Sequence, residues 1–364
     1  MSKVLLLGGT GAIGVYLREI LAQNGHEVYV TSRFAQAELG VGGIRFLQGN
    51  AHDLSFVERV LREVGPDAIV DFMTYASEEF ALRYETFLRG TQHYLFLSSY
   101  RVFNDDKRIT ERSPRLLDTV QDERYLKTDE YALCKARSEN CLRQSALGNW
   151  TIIRPGITYS RRRFQLGCLE ANTLCFRSLA GLPVIMPSLM RGKETTLTWG
   201  RDVAMMISKL LLNQAAYSED FNCATAEHHT WDFVADIYRR ELGADIRDCS
   251  VEDYIKVIGN GAQVKYDRLF DRIIDNSKVL DATGLKQLDF KPLEEGLVNE
   301  LEDFKSNPVY QYPDVVLNAR MDRLLGTRIS LKGFPLGMKL SYWGCQNRIV
   351  GFGLRAARRL KRMV

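Results

Sequence analysis

Short apolar runs alternate with amphipathic stretches through the first half of the chain. Val4–Leu7, Glu27–Thr31, Ile44–Gln48, Ala68–Asp71, Tyr94–Ser98 and Trp150–Arg154 read as strands, and the stretches between them as helices. That alternation predicts an α/β fold of the Rossmann type, a doubly wound parallel sheet whose ligand lies beyond the carboxyl ends of the strands, where the strand order reverses. Residues 1–160 form the expected dinucleotide-binding domain, with segments near 195–225 returning to it. Residues 161–306 read as a smaller, interleaved substrate-binding portion, containing an apolar helix around Leu169–Leu179, a short strand at Phe221-Asn222-Cys223 and an amphipathic helix at Trp231–Leu242. From 307 to 364 prolines and glycines break any long periodicity, and the segment reads as a C-terminal extension with a basic amphipathic end.

The first strand runs directly into Gly8-Gly9-Thr10-Gly11-Ala12-Ile13-Gly14, which opens a helix from about Ile13 to Asn24. Gly8 permits the tight turn, Gly11 lets backbone amides approach a pyrophosphate, and Gly14 allows close packing of the helix on the sheet. The pyrophosphate charge then meets the positive end of the helix. With Glu27–Thr31 as the next strand, the context is that of dinucleotide binding rather than of a bare structural turn.

At 45% hydrophobic residues, 364 residues can bury a large core. The longest apolar runs, such as Leu210-Leu211-Leu212, fall short of a membrane span, and Met1 leads straight into the first strand without a secretory signal, so a cytoplasmic protein is expected. Seven cysteines lack a CxxC pair, and five histidines do not join them at ligand spacing; reduced thiols and no metal are expected. A formal charge of +4 calls for no nucleic acid, but its distribution is uneven. Arg355, Arg358, Arg359, Lys361 and Arg362 alternate with Ile349, Val350, Phe352, Leu354, Ala357, Leu360 and Met363 in a helical rhythm. Such a segment suits the inner face of an anionic membrane or an acidic partner, or simply docks on its own domain.

Tyr131 and Lys135 stand four apart on one predicted helix, a spacing that lets the lysine charge favour the phenolate and makes the phenol usable as an acid or base. Ser98-Ser99-Tyr100-Arg101-Val102-Phe103 begins at the end of a predicted central strand and can supply a hydroxyl beside that phenol. The glycine turn, this serine and YxxxK, in that order, resemble the extended short-chain dehydrogenase/reductase superfamily, in particular its NAD-dependent epimerase/dehydratase branch with UDP-glucose 4-epimerase-like members. The resemblance covers about residues 3–300 and has further echoes in Arg154-Pro155-Gly156 and Arg201-Asp202-Val203-Ala204. It implies Ser99 as the catalytic hydroxyl, Tyr131 as the general acid/base, and Lys135 as the group holding the nicotinamide ribose. The other cofactor positions it implies are Gly8, Gly11, Ala12, Ile13, Gly14, Ser32, Arg33, Asn50, Ala51 and Pro155. Ser98 and Tyr100 become candidates for hydrogen bonds to substrate. A homodimer built on the YxxxK helix, with Cys134, Ala136 and Cys141 as small contacts, is also implied.

Several positions depart from the family pattern. Thr31-Ser32-Arg33 ends the second strand without the acid that NAD-preferring relatives place there, and Arg33 can pair with a 2′-phosphate, so NADP is favoured over NAD. Asn50-Ala51 replaces Asp-Ile beside the adenine. Tyr100-Arg101 stands where sugar 4,6-dehydratases carry Asp-Glu, leaving a 4-epimerase or a ketoreductase of a nucleotide sugar. Thr195 and Trp199 replace the arginine and histidine that hold the diphosphate in epimerases, with Arg161, Arg162, Arg163, Arg191, Lys193 or Lys265 as candidates to supply the missing charge. The alternatives are a catalytically silent binding or scaffold protein and a reductase of a non-sugar or lipid-linked carbonyl.

Overall fold

The computed structural model describes residues 1–34, 42–161, 163–308 and 313–346. The chain forms two compact units, one of residues 1–160, 194–228 and 270–297, the other of residues 161–193, 229–269 and 298–364.

The first unit is built on seven parallel strands: β1 Lys3–Leu7, β2 Glu27–Ser32, β3 Ile44–Gln48, β4 Ala68–Asp71, β5 His93–Leu97, β6 Trp150–Pro155 and β7 Glu219–Cys223. Their order across the sheet is β7-β6-β5-β4-β1-β2-β3. The order reverses between β1 and β4, where Leu7 is level with Asp71. Alternation along each strand divides the core. Val4, Leu6, Val28, Val30, Val70 and Ile153 face one side, with helices α1 (Gly14–Gln23) and α5 (Gly200–Leu210), whereas Leu5, Leu7, Ile69, Phe96 and Ile152 face the other. That second face is covered by α2 (Leu54–Val64) and α3 (Ser77–Arg89), and Leu142 of α4 (Tyr131–Gln144) joins the same core. Local chemistry sets the helix ends: Asp53 caps α2 by accepting from the Ser55 amide, and Gly65 stops it at φ 57°.

Residues 270–297, grouped with the substrate-binding portion on sequence alone, lie in this unit. Ile109 donates its amide to Ile273 O at 2.8 Å, and Asn276 Nδ2 donates to Ala224 O at 2.9 Å.

The second unit pairs strands Val184–Pro187 and Ile246–Cys249 in parallel and adds the helix Trp231–Leu242, capped by Thr230. The helix expected over Leu169–Leu179 is confined to Leu174–Leu179. Ahead of it, Gln165–Leu166 and Leu169–Glu170 form a tight antiparallel pair, because Gly167 takes φ 58° and the Cys168 amide donates to Tyr254 Oη. The described part of the 307–364 segment is not a separate extension. Its helices α6 (Val315–Leu325) and α7 (Leu336–Gln346) share a core with Phe176 and Leu182, and Asp322 pairs with the buried Arg177 at 2.9 Å. The basic stretch from Ile349 to Met363, like Arg162, lies outside the described residues.

Candidate active site

The glycine turn after β1 is a site made by leaving side chains out. Gly8 adopts φ 71°, and its amide donates to Thr31 Oγ1 at 2.9 Å, which ties the turn to the end of β2. A Cβ on Gly14 would lie 2.5 Å from Gly9 O, so this glycine serves closure of the turn itself rather than contact of helix with sheet. A Cβ on Gly11 would meet nothing within 4 Å: there the space lies open in front of the helix. Ile13 stands at the N-cap of α1 without a side-chain cap; the Val15 and Tyr16 amides donate to Gly11 O and Ile13 O, which leaves the amides of Ala12, Ile13 and Gly14 to an outside acceptor. Ala12 is held from behind by Gly200, whose added Cβ would come within 2.5 Å of Ala12 O. The turn therefore fits a dinucleotide pyrophosphate.

Around the expected adenosine, Ser32 is buried, and its hydroxyl donates to Phe34 O at 2.8 Å. Arg33 is exposed, with its guanidinium 5.8 Å from the Phe34 ring centroid. Asn50 is exposed, Ala51 is buried, and Arg83 of α3 donates to the carbonyls of Ala51 and His52 at 3.1 and 2.9 Å. Nothing in the local sequence around Arg83 marks which loop it pins.

At the carboxyl end of β5, Ser99 caps a short turn, and its Oγ accepts from the Arg101 amide at 3.2 Å. The Arg101 guanidinium lies 5.1 Å from the centre of the Tyr131 ring and pairs with Glu130 at 2.5 Å. Glu130 in turn accepts from the Ala132 amide and so fixes the start of α4, where Tyr131 is the first residue. One turn on, the buried Lys135 ammonium donates to Met73 O at 2.8 Å and Leu97 O at 2.6 Å, and lies 5.9 Å from the same ring. Two of its three protons are thus committed. Among the described residues the Tyr131 hydroxyl makes no hydrogen bond. Burial pulls the Lys135 ammonium down to about 8, partly offset by the buried Asp71 carboxylate. Asp71 accepts from Tyr75 and Tyr94, at 3.1 and 2.7 Å, and burial raises it. Pro155 ends β6 level with Cys223 and is buried.

Beneath these groups lies a charge cluster that the sequence reading missed. Ser98 is no candidate for substrate: its hydroxyl donates to Glu139 Oε1 at 2.6 Å. Glu139, fully buried, takes two hydrogen bonds from the equally buried Arg154, at 2.8 and 2.9 Å, and a third from Arg115 at 3.2 Å. Arg154 also pairs with Asp220 at 2.9 Å. Burial opposes the charge on both members, but their mutual attraction wins: Glu139 is held below the usual carboxylate range, and Arg154 above its own. Glu139 and Ser138 on α4, about one turn beyond Lys135, were the available hint, since an acid and a serine there cannot both face water when the helix is buried.

Other expectations need correcting. Tyr100 is buried, with the Arg272 guanidinium 5.7 Å from its ring. Cys134 and Ala136 are buried within the single chain, so neither is free to form the contacts of a dimer, and Cys141 packs against the chain's own core. Arg191 is engaged by Asp232 and Asp248, at 2.5 and 2.6 Å, and is no spare charge for a diphosphate. Thr195, at the place of the missing arginine, is fully buried. Trp199 packs edge-on against Tyr16.

Comparison with known proteins agrees with this architecture. Residues 4–86 match the model of the NAD dependent epimerase/dehydratase family. A curated relative, the chloroplast stem-loop binding protein of 41 kDa b of Arabidopsis thaliana, is 26% identical over 248 residues, 64% of this chain and 61% of its own length. The match therefore spans less than two thirds of that relative. Among solved structures, the enzyme WbmH of Bordetella bronchiseptica in complex with NAD+ superposes with a TM-score of 0.64 at 14% identity, covering 85% of this chain and 100% of the other. UDP-glucose 4-epimerase of Thermus thermophilus in complex with NAD gives 0.61 at 21% identity, covering 84% and 100%. The dTDP-glucose 4,6-dehydratase of Bacillus anthracis in complex with NAD gives 0.62 at 14%, covering 84% and 97%. These likenesses establish the fold.

Proposed function

We propose that this chain, whose residues 4–86 match the NAD dependent epimerase/dehydratase family, is a nicotinamide-dependent epimerase or ketoreductase of a nucleotide-activated sugar. The observation that carries this reading is the gathering of Ser99, Tyr131 and Lys135 around Arg101 and the end of β5, with the Tyr131 hydroxyl left to an outside partner. When bound, the nicotinamide is the hydride acceptor or donor. Tyr131 takes the proton of the sugar hydroxyl as the carbinol is oxidised and returns it on reduction. Ser99 donates its hydroxyl to the same oxygen, for which its proton is available while Oγ accepts from Arg101. Lys135 and Arg101 place two positive charges against the Tyr131 ring and stabilise negative charge developing on its oxygen.

Residues of the glycine turn, Ser32, Arg33, Asn50, Ala51 and Pro155 would hold the dinucleotide. No carboxylate stands at Ser32 to repel a 2′-phosphate and Arg33 is exposed beside it, which supports NADP over NAD; a dissociable NADPH suits a reductase.

The test begins with heat release of cofactor from purified protein and its identification by mass, followed by NADPH titration of wild type and Arg33→Ala. Retained NAD supports an epimerase and removes the role given to Arg33. NADPH binding that Arg33→Ala weakens supports a reductase. Turnover with a panel of UDP- and dTDP-sugars should fall by about 10²–10⁴-fold in Tyr131→Phe with nucleotide binding kept. The relative's name favours one second reading, a binding protein that has abandoned catalysis. It takes first place if neither dinucleotide binds and a stem-loop RNA does.

A further inference from the structure

Helix α7 uses only one side of itself to hold its place. Tyr342, 1% exposed, donates its hydroxyl to Asp322 at 2.6 Å, and Gln346 donates to Ala319 O at 3.0 Å. Asp322 is itself locked by Arg177, by the Thr327 hydroxyl and by the Ile329 amide. The rotation of α7 is therefore fixed by a buried polar network rather than by loose apolar contact. On the side turned away stand Leu336, Leu340 and Trp343, at helical spacing on one face and 69%, 51% and 49% exposed. Exposed apolar side chains in such a row mark a surface meant to be covered.

Charge says by what. After Asp322 the sequence holds ten lysines and arginines and no acidic residue, so residues 1–322 carry a net negative charge while this end of the chain is strongly positive. Arg323, Arg328 and Lys332 are exposed on the loops and helix ends around α7. Among the described residues no helix is long and apolar enough to cross a membrane. An apolar helix face with a tryptophan, on a segment whose charged residues are all basic, suits a surface that is apolar within and anionic at its edge. RNA would answer the charge but leave Leu336 and Leu340 in water.

We propose that the Leu336–Leu340–Trp343 face of α7, with Arg323, Arg328 and Lys332 around it, forms a docking surface for an anionic lipid bilayer. The three side chains enter the boundary between headgroups and acyl chains while the cations meet lipid phosphates. This proposal does not depend on the reaction assigned above.

Co-sedimentation of the full chain with phosphatidylcholine vesicles, with and without phosphatidylglycerol, tests it. Binding is expected only when phosphatidylglycerol is present, weakening with salt. Emission should shift to the blue on binding and the shift should vanish in Trp343→Phe, because Trp150 and Trp231 are buried and Trp199 half-buried. Leu340→Ser with Trp343→Ser should weaken vesicle binding at least about tenfold without moving the melting temperature. If that pair melts early, Leu336→Ser at the exposed start of the helix carries the same comparison. Equal vesicle binding by wild type and serine variants would overturn the proposal, since charge alone would then account for it. So would failure to bind phosphatidylglycerol vesicles, or an unchanged Trp343 spectrum on binding; loss of stem-loop RNA binding in the serine variants without any vesicle binding would give the face to nucleic acid.

Discussion

The two ends of the candidate site are made by opposite means. At the glycine turn the site is made by side chains that are missing: Gly8 bends, Gly14 closes the turn on Gly9, and Gly11 leaves open space beside the amides of Ala12, Ile13 and Gly14. At the end of β5, function rests on side chains packed in excess: Tyr131 and Lys135 stand on a helix anchored by Glu130 at its start and by Glu139 in its middle, the latter clasped by Arg154 and Arg115. A backbone-built site is local and tolerates little change at single atoms. A charge-built site depends on partners far apart in sequence and fails when one of them is lost.

The largest effect should come from breaking the second kind of site. Glu139→Gln leaves the buried Arg154 with Asp220 as its remaining anion, and should cost about 3 kcal/mol in urea unfolding, with activity lost alongside. The glycine end should answer differently at its two positions. Gly14→Ala must push Gly9 aside and should cost about 2 kcal/mol and nucleotide binding together. Gly11→Ala meets no protein atom, so melting should be unchanged while calorimetric titration finds nucleotide affinity at least about tenfold weaker. If Gly11→Ala unfolds as readily as Gly14→Ala, the distinction between closure and ligand space fails.

Asp202 lies in the first turn of α5, whose Gly200 backs the glycine turn. Burial raises its carboxyl to about 6, and it accepts from the Lys291 amide. A carboxyl raised on folding favours the native state while protonated, so the wild type should lose stability as pH rises from about 4 through 6. Asp202→Asn should lack that loss, gaining on the order of 2 kcal/mol over wild type between those values. The smallest effect is a shift in a pH profile. With Lys135 held at about 8 by burial, turnover should fall as pH rises past that value and the ammonium is lost. Asp71→Asn removes the anion that supports the ammonium, so the falling limb should move to lower pH; a move upward would break the assignment.

Much of this was legible in the chain itself. Strand positions follow from apolar runs, and the observed β1 to β6 match them within a residue or two because each run is short and bounded by turn residues, and all but the edge strand β3 are largely buried. The glycine turn and the Tyr131/Lys135 spacing are local, so sequence order is enough to find them. The helix expected over Leu169–Leu179 starts only at Leu174, because apolar content does not reveal Gly167 at positive φ, its carbonyl accepting from Arg268 Nε. Ser98 and Ser99 are neighbours of one chemistry, and only the structure sends one hydroxyl down to Glu139 and leaves the other accepting from the Arg101 amide.

Sequence by itself determined the order of elements, the turn that suits a pyrophosphate and the helix that carries the phenol and the ammonium, because hydrophobic periodicity and glycine stereochemistry act over a few residues. Tertiary structure alone decided which charges are spent on one another, as in Glu139 with Arg154 and Asp322 with Arg177, and which apolar face of α7 is left over. The reason is physical: an ion pair or an exposed face is defined by what comes near it in space, and Arg177 meets Asp322 only after the chain between them has folded.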